Sequence, residues 1–312
     1  MTDQTVDAPL LELTDDALAR PLPSALATAR SDVVAAARDL LTLNEADLIR
    51  PWAWIGGSEE EVRYGAYRAA EALEQAEIEA RLRAAGADAT ERRAARIIGP
   101  ATAARWDLHG LLLSLEESLL DADPGGGEWS VRRTLGHTIN SQRTYGWTSA
   151  WWQTQGLAVG DPSLPPRPPE SLPAKEPDEA TTEAAGSFED LRARLDATLD
   201  LSAERLAGLP DERLDLAARW AGFPVTIGFR LGRWGSHIRE HTIQVEKTLV
   251  MLDQVPDEPA RLARHLLGAY GRAEAVVFGR AGVDAAVDRV AAGAAESRDA
   301  IRAAKAAATV AV

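Results

Sequence analysis

An all-α fold is predicted for this chain by three observations. Apolar residues recur at three- and four-residue spacing through most of its length, the period of a buried helix face. Serines stand at the heads of several of these runs, where a hydroxyl can accept from the free N–H groups of a first turn. No segment sustains the apolar–polar alternation of a half-buried strand.

The elements follow in chain order. Residues 1–30 form an N-terminal arm, since their first two dozen positions mix Asp, Pro and scattered Leu without a period. Ser31 is expected to cap a helix over 32–50, with Val33, Val34, Ala37, Leu40, Leu41 and Leu48 on its apolar side and Pro51 ending it. Ser58 and the acidic run Glu59–Glu61 suit the start of a second helix reaching Ala85, with Gly86 as its stop. A third is expected over 101–121, broken by Asp123-Pro-Gly-Gly-Gly127. Ser130 caps a fourth that reaches Thr154 and carries Val131, Leu135, Ile139, Trp147, Trp151 and Trp152.

Residues 156–186 hold seven prolines and no period. A structureless stretch of that length is explained if it carries the chain end to end between helices two and three of a four-helix bundle. Ser187 then caps a helix over 188–206, and residues 211–224, with Trp220, are expected to be irregular. A helix over 226–253 follows, and two Ala-rich helices over 258–280 and 283–308 close the chain. The domain reading is an arm at 1–30, a helical region at 31–99, a bundle at 100–255 and C-terminal helices at 256–312.

A short echo links the halves. Leu40-Leu-Thr-Leu43 followed by Trp54 and Glu61-Val62-Arg63 resembles Leu112-Leu-Ser-Leu115 followed by Trp129 and Ser130-Val131-Arg132. It sets Arg68 opposite His137, and the N- and C-terminal helices that flank 100–255 are candidates for a degenerate second bundle.

Composition narrows the function. The 312 residues suffice for one large or two ordinary domains, and 46% hydrophobic with 26% charged residues is a normal globular balance. A net charge of −14 repels phosphate backbones and acidic membrane surfaces, so no nucleic-acid or membrane partner is expected. With no cysteine, disulfides, thiolate ligands and a cysteine nucleophile are excluded. The N-terminus lacks the basic and apolar regions of a signal peptide, and no apolar run approaches the ~20 residues of a membrane span. A soluble, cytoplasmic protein acting on a small molecule is expected.

Two of the five histidines, His237 and His241, stand four residues apart inside an apolar helix. Residues at i and i+4 share a helix face, so both imidazoles can point at one ion. His137, on a separate helix, would complete a three-histidine site with positions left open for water or substrate. Gln244, one turn after His241, is a candidate to orient that ring or is a solvent-facing helix former. His109, His265 and Glu240 read as bundle or surface residues away from the site. Arg143 and Arg233 read as ordinary ion pairs, although a guanidinium can also clamp a carboxylate. Trp147, Trp151 and Trp152 either wall a pocket or pack the core.

Trp129-Ser-Val-Arg132 with His137, then a long crossover, then His237-Ile-Arg-Glu-His241-Thr-Ile-Gln244, resembles the DinB-like superfamily over about 100–255. The resemblance implies a bacterial four-helix bundle in which His137, His237 and His241 bind a divalent ion, zinc or nickel. It implies a thiol-dependent S-transferase or isomerase, and the missing cysteine means that the thiol is an external cosubstrate such as mycothiol or bacillithiol. The Ala- and Arg-rich composition resembles that of a high-GC actinobacterial protein, which would favour mycothiol. A metal-dependent hydrolase and a non-catalytic small-ligand-binding protein are the alternatives. Relatives often carry Glu directly after the first histidine; here that position is Ile238, so no catalytic residue is assigned. The chain is expected to be either a monomer with pseudo-dimeric halves or a homodimer.

Overall fold

Helices dominate the computed structural model, which describes residues 8–13, 15–53, 58–86, 92–172 and 176–309. In order they are α1 (Ala8–Leu11), α2 (Ser24–Leu40), α3 (Glu45–Leu48), α4 (Arg63–Gly86), α5 (Arg93–Leu112), α6 (Val131–Gln155), α7 (Phe188–Leu206), α8 (Asp211–Leu214), α9 (Ile227–Met251), α10 (Glu258–Ala275) and α11 (Asp284–Thr309). Two antiparallel hairpins join them: β1 (Pro51–Ala53) with β2 (Glu59–Glu61), and β3 (Ala217–Trp220) with β4 (Phe223–Thr226). Among the described residues no helix is long and apolar enough to cross a membrane.

Side-chain caps fix several helix starts. Ser130 accepts from the N–H of Arg133, and Thr226 from that of Phe229. Ser187 and Asp190 form a reciprocal capping box at the head of α7. These three helices begin where the sequence places them.

Other starts differ, each for a local reason. Ser31 lies inside α2, which begins at Ser24 behind Pro23, so the expected arm ends earlier than residue 30. The arm is also anchored, because Leu10, Leu13 and Leu18 are buried in the core. The helix expected through residue 50 stops at Leu40, and Asn44 opens α3 with its own capping box on Asp47. Ser58 does not head the helix: Glu59–Glu61 pair with Pro51–Ala53, and α4 begins at Arg63. Trp54 of the echo lies outside the described residues.

α5 starts at Arg93, eight residues before the expected 101, and runs through Pro100. It ends at Leu112, short of 121, and a 3-10 turn over Glu117–Leu119 follows. Proline removes one helical N–H, a cost of the order of 3 kcal/mol that packing must offset, so the residue reads as a helix start. The stretch over 211–224 is not irregular. It holds α8 and the second hairpin, whose turn residues Ala221 and Gly222 both adopt positive φ, 48° and 83°. That is a primed-type turn without the Asn-Gly signal that usually reveals one.

The helices pack as two rings of four. In the first, the close pairs are α5–α9, α9–α6, α6–α7 and α7–α5, around Trp147, Trp152, Trp234, Leu195 and Ile238. In the second they are α2–α11, α11–α4, α4–α10 and α10–α2, around an Ala-rich core with Leu26, Val33, Leu73 and Leu266. Both rings have the same cyclic order: first helix, fourth, second, third. The N-terminal helical region therefore forms no bundle of its own. Its two helices close with the two C-terminal ones, and the first ring is inserted between α4 and α10.

The rings meet where α5 lies on α10 and α2 approaches α7, so the first helix of each touches the third of the other. Small residues let α5 and α10 come close. A Cβ on Gly271 would stand 2.7 Å from Trp106 Cβ, and one on Gly110 would stand 2.8 Å from Arg264 Cα. A polar cluster is buried between the rings. Glu274 on α10 receives Arg30 (2.7 Å), Arg105 (2.8 Å), Thr102 (2.7 Å) and the Trp106 indole (3.2 Å). Arg30 and Arg105 also bind Asp200 on α7, at 2.6 and 2.8 Å. Burial pushes the Glu274 carboxyl up, but the two guanidiniums outweigh it and hold it down at about 2.

Two outcomes are expected. Gly271→Val should cost about 2 kcal/mol in denaturant unfolding, because neither Trp106 nor the α5 backbone can give way. Glu274→Leu should cost about 3 kcal/mol or more, because it leaves two buried guanidiniums short of a carboxylate. The pH dependence of the wild type follows the same group. Its stabilisation is complete above the ordinary carboxylate value of 4.5 and is lost as the pH falls toward 2. In the Glu274→Leu variant that part of the acid limb should be missing.

Candidate metal centre

α9 brings His237 and His241 together because their four-residue spacing puts both on the edge of its buried stripe, beside Trp234, Ile238 and Val245. His237 is buried and His241 half-buried. α6, packed on α9, contributes His137 seven residues after its cap. The three rings offer nitrogens that all lie within 4.8 Å of one another. The two Nε2 atoms of His237 and His241 face each other at 3.1 Å. Two nitrogens on one ion at ~2.0–2.1 Å would lie about 2.9 to 3.4 Å apart, depending on the bond angle. The donor set and its spacing fit a divalent ion.

Each flanking group prepares a ring nitrogen. Gln244 Oε1 accepts from His241 Nδ1 at 2.8 Å, which leaves the Nε2 lone pair pointing into the group. Glu179 Oε2 meets His137 Nδ1 at 3.2 Å, a carboxylate–histidine pair that turns Nε2 the same way. Ser141 Oγ lies 3.4 Å from that Nε2. His237 Nδ1 is buried and has no hydrogen-bond partner. Burial, with His241 and His137 alongside, lowers His237 to about 4, and burial also lowers His241. Both rings are thus neutral near pH 7, the form that can donate a lone pair.

The Trp129-Ser-Val-Arg132 stretch builds the local frame. Ser130 caps α6 and Val131 enters the core. Arg132 grips Asp121 with two nitrogens and donates to the carbonyls of Ala184 and Gly186, which pins the end of the crossover against α6. Trp129 stacks edge-on against His137 at 5.2 Å. On the other side Tyr145 stands 5.6 Å from the His237 ring.

The remaining candidates fall elsewhere. His109 is fully buried between the rings, donating from Nε2 to Asp196 at 2.8 Å, and burial holds it below its ordinary value. His265 is exposed on α10. Glu240 is held by Arg233 through two contacts of 2.9 and 3.0 Å, and Arg143 by buried Glu183 at 2.7 Å. Trp147 and Trp152 are core, while Trp151 is half-buried beside them. Arg68, opposite His137 in the echo, makes an ion pair with Glu71. Glu179, Ser141 and Tyr145 were not singled out from the sequence. Ser141 and Tyr145 follow His137 at four and eight residues and were open to that reading, whereas Glu179 sits in the crossover, where no period points to it.

A four-helix bundle with a long crossover between its second and third helices, carrying three histidines between its second and fourth, defines a class of bundle whose histidine group could hold a metal ion. The sequence profile of the DinB superfamily matches residues 101–245, and this segment is a DinB-superfamily domain within the chain. Comparison with curated proteins and with solved structures gave no significant match.

In metal-free protein the His237 ring protons should titrate near 4 by NMR, well below 6.5. The sign for stability follows: the unfolded chain takes up this proton first, so stability falls as the pH drops from 6.5 toward 4. A His237 titration near 6.5 would contradict the burial described.

Proposed function

We propose that this protein is a divalent-metal enzyme of the thiol-dependent transferase or isomerase kind. His137, His237 and His241 would hold zinc or nickel, and a low-molecular-weight thiol such as mycothiol would be the external cosubstrate. The observation that carries the reading is the pair of Nε2 atoms at 3.1 Å, with His137 completing the group and no acidic ligand among the three. Three neutral ligands leave the ion's charge undiminished, and such an ion supplies Lewis acidity that lowers the pKa of a thiol or water presented to it.

The chain's own residues have distinct parts. Gln244 and Glu179 set the tautomers of His241 and His137. Trp129 and Tyr145 flank the rings and limit access of water. No cysteine is present to act as an internal nucleophile, so the nucleophile has to arrive from solution. The reading places the chain in the cytoplasm as a monomer, the second ring taking the position that a partner subunit would occupy.

Elemental analysis of untagged protein should find about one zinc or nickel per chain, lost in a His237→Ala/His241→Ala double variant. Glu179→Gln and Gln244→Leu should weaken metal binding about 10- to 100-fold without unfolding the bundle. Turnover of an electrophilic substrate should require added thiol; activity without thiol would instead make the protein a metal-dependent hydrolase. Absence of metal after reconstitution would overturn the reading. Light scattering should give a mass near 33.5 kDa.

A further inference from the structure

Next to the histidine group, α6, the crossover and the β3–β4 hairpin line an open cavity of about 290 Å³. Thr144, Thr148, Trp152, Glu176, Arg219 and Arg230 line it. Five arginines are buried among the described residues. Four meet a carboxylate: Arg105 with Glu274, Arg143 with Glu183, Arg192 with Glu189 and Arg289 with Glu79. Arg230 does not. It donates to Ser149 Oγ at 3.3 Å, to Thr148 Oγ1 and to the carbonyl of Arg219, all neutral acceptors.

Arg219 repeats the pattern. Its guanidinium donates only to backbone carbonyls, of Pro165 at 2.7 Å, Gly222 at 3.0 Å and Leu164 at 3.2 Å. The chain has 48 Asp and Glu against 34 Lys and Arg, so a carboxylate-free pair of guanidiniums in a cavity is not a shortage of acids. Glu176 shares the cavity, but it accepts from Thr144 at 3.0 Å and lies beyond ion-pair distance of either arginine. Burial pushes its carboxyl up, and burial lowers Arg230 to about 10, the mark of a cation without its counter-charge.

Position links the cavity to the histidines. Arg230 and His237 are seven residues apart on α9, which is two turns, or ~10 Å, along one face. Tyr145 stands between them, 5.5 Å from the Arg230 guanidinium and 5.6 Å from the His237 ring. Three of the five guanidinium N–H groups of Arg230 are engaged, which leaves two for a planar acceptor with two oxygens.

We propose that this cavity binds the carboxylate of a small organic acid, with Arg230 as its main anchor and Arg219 beside it. Binding of the acid needs no ion at the histidines. Only the role of the anchored acid, as the far end of the substrate that the metal centre acts on, rests on the function proposed above.

Isothermal titration with succinate and, separately, inorganic phosphate at constant ionic strength tests this on the full chain, metal-loaded and as His237→Ala. Succinate should bind once per chain in both, phosphate more weakly. Arg230→Gln should weaken succinate at least tenfold and Arg219→Gln severalfold, with metal content and helicity unchanged. Glu176→Gln should leave binding equal or tighter, because a neighbouring negative charge is removed. If Arg230→Gln does not fold, the half-buried Arg219→Gln carries the test. No succinate binding at about 10 mM, binding indifferent to both arginines, or tighter binding of phosphate would overturn the assignment. Succinate binding that survives in His237→Ala while metal is lost separates this site from the fate of the metal centre.

Discussion

Glu274 is a fully buried carboxylate, and the joint between the two rings is organised around it. An ion of that size taken from water into a protein interior costs several kcal/mol unless charge and hydrogen bonds replace the lost solvent. Here two guanidiniums, a hydroxyl and an indole converge on it from α2 and α5. Arg30 and Arg105 extend the contact to Asp200 on α7, so four helices of both rings share one charge cluster. Such a cluster tolerates little displacement, since any shift leaves a buried charge short of a partner. The small residues along α5 and α10 serve the same joint, letting the backbones approach until Arg105 reaches Glu274. Because α5 also packs on α9, the joint fixes the helix against which the histidine-bearing helix lies.

Much of the fold was legible because local chemistry and burial agree. Ser130, Ser187 and Thr226 head helices whose apolar periods begin immediately after them, and there the structure follows the sequence closely. The misreadings lie where a short-range signal meets a tertiary contact. Glu59–Glu61 look like an acidic first turn, yet their backbone pairs with Pro51–Ala53 and the helix waits for Arg63. Pro100 looks like a helix boundary, yet α5 carries it in its interior, with Gly235 of α9 against its backbone. The echo between Leu40–Arg63 and Leu112–Arg132 sits at corresponding places in rings of the same cyclic order. The second ring joins helices from both flanks of the first, the arrangement that the helices on either side of 100–255 left open.

The histidine group was legible for a different reason. His237 and His241 lie one turn apart on one helix, a spacing that sequence states directly, and Gln244 extends it by another turn. His137 had to be brought in from a second helix, and the Trp129-Ser-Val-Arg132 stretch was the marker. Its physical sense is plain only in three dimensions, where Arg132 ties the crossover to α6 and Trp129 braces the His137 ring. Glu179 and Arg219 were invisible, because a single helical turn in the crossover, Glu179–Glu183, and a four-residue strand are too short to show a repeating period.

The insertion of one ring between α4 and α10 also sets an order of assembly. Asp32 meets Arg298 across 266 positions of sequence, and Glu74 meets Arg272 across 198. Contacts of that separation close late, because the entropy of a long loop is lost before any of them forms. A chain emerging from the ribosome thus has α5 to α9 available to fold as a unit while α2 and α4 wait, their alanine faces wet, for α10 and α11 to be made. The histidine-bearing half has its four helices together early in translation; its neighbour is completed only when α10 and α11 have followed.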